Sequence, residues 1–256
     1  MHILLTNDDG IHAPGLWALY KRFSGKHAVS VIAPDREQSA VGHGITLLEP
    51  LRATHVSIDG ACPGYAVHGT PADCVKLGVL ELLESKPDMV IAGINPGANV
   101  GVNINYSGTV AAAKEAAFYG MPAIAVSIRR DAANYYDEAA FFIEQLAAKV
   151  VKHGLPFGTF LNVNIPNMPL KQIAGIRISK LGIAIFPEYV EKRLDPRNRP
   201  YYWQGCDSLA ADDNPEIDGT ALCENFISIT PISCDMTDYK FFEALKSWGI
   251  DGLGQL

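Results

Sequence analysis

The 256-residue chain is short of positive charge: lysine and arginine number 21 against 28 acidic residues, for a formal net charge of −7, and they form no basic run. That excludes the broad cationic footprint of a nucleic-acid binder. It does not exclude a small phosphorylated ligand, which needs local donors rather than a basic surface. Cysteine is also sparse. Cys62, Cys74, Cys206, Cys223 and Cys234 are odd in number, with no CxxC and no regular spacing. This excludes a zinc ribbon and a disulfide framework and predicts reduced thiols. The opening MHILLTNDD reaches two carboxylates before an apolar leader core could develop, so a cytoplasmic protein without a signal peptide is expected. No internal repeat and no low-complexity tract is present.

One absence is local. From Met89 to Ala113 there is no charged residue, a length that would span a bilayer. Yet the stretch holds Asn95, Asn99, Asn103 and Asn105 with glycines and a proline, groups that lipid would leave unsatisfied. It reads as a loop region of a soluble protein, and no membrane partner is expected.

What the chain does have is apolar content, 48%, enough for one sizeable core. Apolar runs alternate with helical patterns over the first two thirds. HILLT, AVSVIAP, DMVIAGI, PAIAVSI and TFLNVNIP read as strands. GLWALYKRF, CVKLGVLELLES, TVAAAKEAAFYG and YDEAAFFIEQLAAKVVKHG read as helices. The expected fold is α/β, a Rossmann-like parallel sheet over residues 1–170 with helices on both faces. Residues 171–235 (GIRISKLG, EYVEKR, YYWQGC, NFISITPI) predict an antiparallel β extension without helices, and a helix within 236–256, capped by Thr237, closes the single domain.

Three polar loops follow strands: TNDDG, APDREQSAVGHG and GINPGANVGVNINYSGT. In a parallel sheet all three emerge at the carboxyl edge, where α/β proteins build sites. Asp8 and Asp9 repel one another unless a cation lies between them. With the Ser39 hydroxyl and the Asn95 amide oxygen they form a hard-oxygen set suited to one divalent ion, Mg²⁺ or Mn²⁺, with Ca²⁺ able to occupy it. DDG alone is equally a plain turn; convergence with Ser39 and Asn95 favours the metal. Ser107, Gly108 and Thr109 open a helix, as an ordinary cap or as a phosphate cradle of backbone N–H groups. Together these predict metal-assisted phosphate chemistry, with Asp8, Asp9 and Asn95 catalytic. His12 and His43 are either solvated loop histidines or proton donors to the leaving group, and Asn99 is a further candidate beside them. His68, Thr70 and Pro71 read as strand-to-helix support. Tyr201, Tyr202 and Trp203 read as sheet packing, with base stacking as the alternative.

The strings ILLTNDDGIHAPG, VIAPDREQSAVGHGITL, GTPADCVKLG, VIAGINPGANVG, YSGTVAAAKEA and SITPI, in this order from residue 3 to about 235, resemble the SurE family of 5′-nucleotidases. The resemblance implies a Rossmann-like core and an extension exchanged between subunits of a homodimer or homotetramer. It implies hydrolysis of nucleoside 5′- and 3′-monophosphates and of short polyphosphate. It places the metal ligands on Asp8, Asp9, Ser39 and Asn95, and the phosphate contact on Ser107, Gly108 and Thr109. Ala117 and Pro96 depart from the family pattern; Pro96 implies a stiffer asparagine loop with its ligand retained. Two other readings stand beside this one. A haloacid-dehalogenase-like phosphatase would want its aspartates one residue apart, which NDDGI lacks. A nucleotide or nucleotide-sugar binding module would use the same metal without hydrolysis.

Overall fold

The computed structural model describes residues 1–58, 62–130, 135–183, 188–206 and 213–250. The strands are β1 (His2–Thr6), β2 (Ala28–Pro34), β3 (Arg52–Ile58), β4 (Cys62–His68), β5 (Met89–Pro96), β6 (Ala123–Ile128), β7 (Thr159–Ile165), β8 (Gly175–Ile178), β9 (Glu188–Leu194), β10 (Pro200–Cys206) and β11 (Phe226–Ser233). The helices are α1 (Pro14–Phe23), α2 (Pro71–Leu77), α3 (Gly108–Phe118), α4 (Tyr136–His153), α5 (Asp218–Cys223) and α6 (Tyr239–Lys246). Nine strands form one sheet in the order β3-β4-β2-β1-β5-β6-β7-β11-β8, and β9 with β10 forms a separate antiparallel pair. The run from β4 to β7 is parallel throughout. The expected α/β architecture, with helices on both faces, is therefore what the chain adopts.

Alternation along the strands divides the core. Ile3 and Leu5 of β1 pack with Leu16, Leu19 and Phe23 of α1 and with Ala140 and Ile143 of α4. Leu4, between them, points the other way, into a cluster with Cys74 and Val75 of α2 and the alanines of α3. Each fully buried aliphatic side chain contributes roughly 1.5–3 kcal/mol of burial free energy. Helix α3 is buried nearly all round, and Ala112, Ala113, Ala116 and Ala117 let it lie close to the sheet. The lack of charge through the first half of this helix thus reflects burial.

Helix α2 starts at Pro71, where Thr70 and Pro71 read as the strand-to-helix turn, and Thr70 and Asp73 form a reciprocal capping box there. Three differences from the sequence reading have physical causes. The pair β3–β4 had no expected strand; β3 is a largely exposed edge strand whose RATHVSI pattern buries little. The stretch 171–235 divides: β8 and β11 pair in parallel and join the main sheet through β7, and α5 lies between them in sequence. Among the described residues only β9 and β10 stand apart, as an antiparallel hairpin. Ile227 and Ile229 of β11 enter the α1/α4 side of the core, so this strand belongs to the body of the domain. The cap of α6 is Asp238, whose side chain accepts the Phe241 N–H at 2.9 Å; the Thr237 N–H instead donates to Asp235.

Candidate active site

Strand β1 ends in four buried polar residues or near-buried ones: Thr6 and Asn7 are fully buried, Asp8 is 6% exposed, and Asp9 is half-buried. The chain then turns at Gly10, whose φ of +98° lies in the region that favours glycine. The Asn7 amide braces that turn by donating to the Gly10 carbonyl at 2.9 Å. Two backbone bonds stitch this loop to the loop after β2: Ile11 N–H to the Pro34 carbonyl at 2.8 Å, and Gln38 N–H to the Asp8 carbonyl at 2.7 Å.

The Asp8 carboxylate is held by the start of α3. One oxygen accepts the Thr109 N–H at 3.0 Å and the other accepts the Thr109 hydroxyl. Gly108 is what allows the approach, since a Cβ there would lie 2.7 Å from Asp8 Cβ and 3.0 Å from its Oδ2. The anion seated against this helix N-terminus is thus Asp8 itself, where partial positive charge is available. The Thr109 hydroxyl and amide thus both face the Asp8 carboxylate. Ser107 caps the same helix by accepting the Val110 N–H at 3.1 Å, so its hydroxyl hydrogen remains to be donated.

Asp9 has no such support. Its Oδ2 is buried and makes no hydrogen bond. Burial foremost, then the neighbouring Asp8 and Glu37 carboxylates, pushes its carboxyl up to about 7, against the opposing pull of Arg130. Burial likewise raises Asp8, opposed by its bonds from Thr109 and Gly108. Two adjacent carboxylates, one carrying an orphaned buried oxygen, are the arrangement a divalent cation satisfies.

Asn95 sits at the end of β5, beside a register irregularity in its pairing with β6. Its Nδ2 donates to the Gly97 carbonyl at 2.6 Å, which leaves Oδ1 for another partner. Ser39 is exposed on the loop after β2, and its hydroxyl donates to Glu37 at 2.5 Å. Glu37 is the carboxylate whose charge reaches Asp9, so Ser39 lies on the loop that flanks the pair. Among the described residues no group of three or more His, Cys, Asp or Glu is placed to hold a metal, so a cation here must rely on neutral oxygens beside Asp8 and Asp9.

The remaining candidates separate. His43 Nε2 lies 2.8 Å from Glu115 Oε2, its ring stacks on Phe118, and it lines one cavity with Ser107 and Lys114. His12 is exposed. Asn99 is structural in its bonding: its N–H donates to Asn164 at 2.8 Å, its carbonyl accepts from Asn162 and Asn164, and its Nδ2 donates to Ser127. His68 pairs with Asp35 at 2.9 Å. Tyr202 and Trp203 are each 59% exposed on the hairpin, away from the sheet core. Sequence reasoning missed Glu37 and Arg130, whose charges act on Asp9, and Tyr136, on which the Asp9 charge acts. The signal was available for Arg130: it follows the fourth expected strand, so its loop leaves the same sheet edge. Its Nε donates to the Pro96 carbonyl of the asparagine loop at 3.2 Å.

A family model described as survival protein SurE matches residues 3–188. The chain belongs to the SurE family. A SurE protein of Desulfatibacillum aliphaticivorans named 5′-nucleotidase is 57% identical over 251 residues, covering 98% of this chain and 99% of that one. A second, of Syntrophobacter fumaroxidans and bearing the same name, is 47% identical over 250 residues, covering 98% and 100%. The crystal structure of the SurE protein from Aquifex aeolicus superposes with a TM-score of 0.84 at 38% identity, covering 97% of this chain and all of that one. The expected SurE membership is thus established over nearly the whole chain.

Proposed function

We propose that this SurE-family protein is a cation-dependent phosphatase that hydrolyses nucleoside 5′-monophosphates and extends to 3′-monophosphates and short polyphosphate. The observation that carries the reading is the unpartnered, buried Oδ2 of Asp9 beside Asp8 at the carboxyl edge of the sheet. Asp8, Asp9, Ser39 and Asn95 would hold one Mg²⁺ or Mn²⁺. When bound, that ion supplies Lewis acidity toward a phosphoryl oxygen and lowers the pKa of water.

The chain's own groups do the rest. Thr109 and Gly108 fix Asp8 from the helix terminus, so that its free lone pairs hold one direction. The Ser107 hydroxyl hydrogen and the Arg130 guanidinium would donate to phosphate oxygens and meet the charge that develops on them. Asn99 fastens the asparagine loop to β7, which keeps Asn95 and Ser107 at fixed separation. The 5′-nucleotidase names of the relatives support a nucleoside monophosphate as the substrate. Exposed Tyr202, Trp203, Phe241 and Trp248 on the hairpin and around α6 support a homodimer or homotetramer formed through the C-terminal part of the chain. Among the described residues no helix is long and apolar enough to cross a membrane, and a cytoplasmic setting fits Cys74 and Cys234, which are thiols outside any disulfide.

A direct test is phosphate release from nucleoside 5′- and 3′-monophosphates with Mg²⁺, Mn²⁺ or chelator. Turnover that needs the cation is expected. Nucleotide binding without turnover would favour a binding module and overturn the proposal.

A further inference from the structure

Asp218, the first residue of α5, is 0% exposed, yet among the described residues no lysine or arginine pairs with it. Backbone N–H groups satisfy it instead, and its two oxygens serve different parts of the chain. Oδ2 accepts the Gly101 N–H at 2.8 Å. Oδ1 accepts the Gly182 N–H at 3.1 Å and the Gly219 N–H at 2.9 Å. Gly101 lies in the loop between Asn95 and Ser107. Gly182 lies shortly before the β9–β10 hairpin.

The junction is closely packed. A Cβ on Gly182 would lie 3.0 Å from Ile217 Cγ2 and 4.0 Å from Gly101 Cα. Two further bonds hold the same strands of chain together: Lys180 N–H to the Glu216 carbonyl at 2.8 Å, and Asp218 N–H to the Lys180 carbonyl at 2.9 Å. The asparagine loop is therefore pinned twice, at Asn99 by side chains of β7 and at Gly101 by a carboxylate from α5. A buried carboxylate with three N–H donors is a strong fastening, because removing it would leave those donors unsatisfied.

We propose that Asp218 is a positioning residue that fixes the active-site loop and the root of the β9–β10 hairpin as one unit, so that displacement of the hairpin root reaches Asn95 and Ser107. The catalytic consequence rests on the phosphatase reading; the mechanical consequence does not.

Asp218→Asn separates the two. The amide keeps the side chain's shape but has one acceptor oxygen, so one of the two segments meets an N–H₂ donor. Amide hydrogen exchange over 97–107 or 180–183 should quicken by about tenfold or more while β1 and β5 stay protected. With the protein folded, kcat/KM for AMP should fall ~10–100-fold, as expected for a displaced site. A lowered Tm with unchanged kcat/KM and unchanged loop exchange would reduce Asp218 to a structural residue and overturn the proposal. Faster loop exchange with full activity would overturn its catalytic half. Should wild-type protein show no phosphatase activity, the function fails while the exchange experiment still decides the fastening. If D218N does not fold, wild-type exchange in sub-denaturing urea decides it: Gly101 and Gly182 should open in one step, and separate openings overturn the coupling.

Discussion

Gly108→Ala distinguishes this account from one based on local propensity alone. At the first residue of a helix, replacing glycine by alanine ordinarily stabilises, by about 0.5–1 kcal/mol. Here the new Cβ would lie 2.7 Å from Asp8 Cβ and 3.0 Å from both Asp8 Oδ2 and Pro71 Cγ. Carbon atoms prefer a separation of roughly 3.5–4.0 Å, so α3 and Asp8 must part by most of an ångström. Neither neighbour is the free end of a flexible side chain. Overpacking of this kind typically costs about 1–3 kcal/mol, which outweighs the propensity gain and leaves a net loss of about 1–2 kcal/mol. For a domain of this size that lowers Tm by about 2–8 °C in calorimetry. The same separation weakens the 3.0 Å bond from Thr109 to Asp8, and an ångström at a reacting centre costs up to ~100-fold in kcat/KM. Both effects should appear together in G108A. A variant that is as stable as wild type or more so, and releases phosphate from AMP at the full rate, would refute the reasoning.

Two further predictions concern stability and assembly. Glu144 of α4 accepts from Arg22 at 2.6 Å and from Lys26 at 2.8 Å, and these bonds, that from Lys26 foremost, hold its carboxyl below the usual range. Both cations are partly exposed, at 34% and 63%, so Glu144→Gln should destabilise by no more than about 1 kcal/mol at pH 7. Because the folded-state pKa is the lower one, that contribution is complete above the ordinary glutamate pKa. It disappears as pH falls through the folded value, and denaturant unfolding at pH 7 and near pH 3 checks the sign. Replacing Tyr202 and Trp203 together by serine removes the largest exposed apolar surface of the hairpin, and light scattering should then report a smaller assembly with the monomer fold intact.

The legibility of this molecule in its sequence follows burial. Strands β1, β2, β5, β6 and β7 of the parallel run are rich in apolar residues, so HILLT or DMVIAGI stand out without any knowledge of partners, whereas β4 of the same run carries Pro63 and Gly64 and does not. β11 does not, because FISITPI alternates isoleucine with hydroxyl residues and reads equally as an isolated ribbon or as a strand of the main sheet. Its place is decided by pairing with β7, a contact between residues far apart in the chain. The site divides in the same way. Asp8, Asp9, Ser39 and Asn95, the proposed ligands, were singled out because strand-end loops of a parallel sheet emerge at one edge. That Gly108 and Thr109 serve Asp8 depends on how closely α3 approaches β1, which no local pattern encodes. Glu37 and Arg130 act through charge at a distance, so only the folded chain reveals their influence on Asp9.

The most direct test is Asp9→Asn, followed by two readings on the same preparation. Without added cation, its stability should equal or exceed that of wild type, because the amide relieves a buried charge pressed by Asp8 and Glu37. With Mn²⁺ or Mg²⁺, phosphate release from AMP should fall by about 100-fold or more, the loss expected when an arrangement built to hold the ion is broken. A folded variant that retains full cation-dependent release would contradict the central claim that Asp9 holds the ion on which catalysis depends.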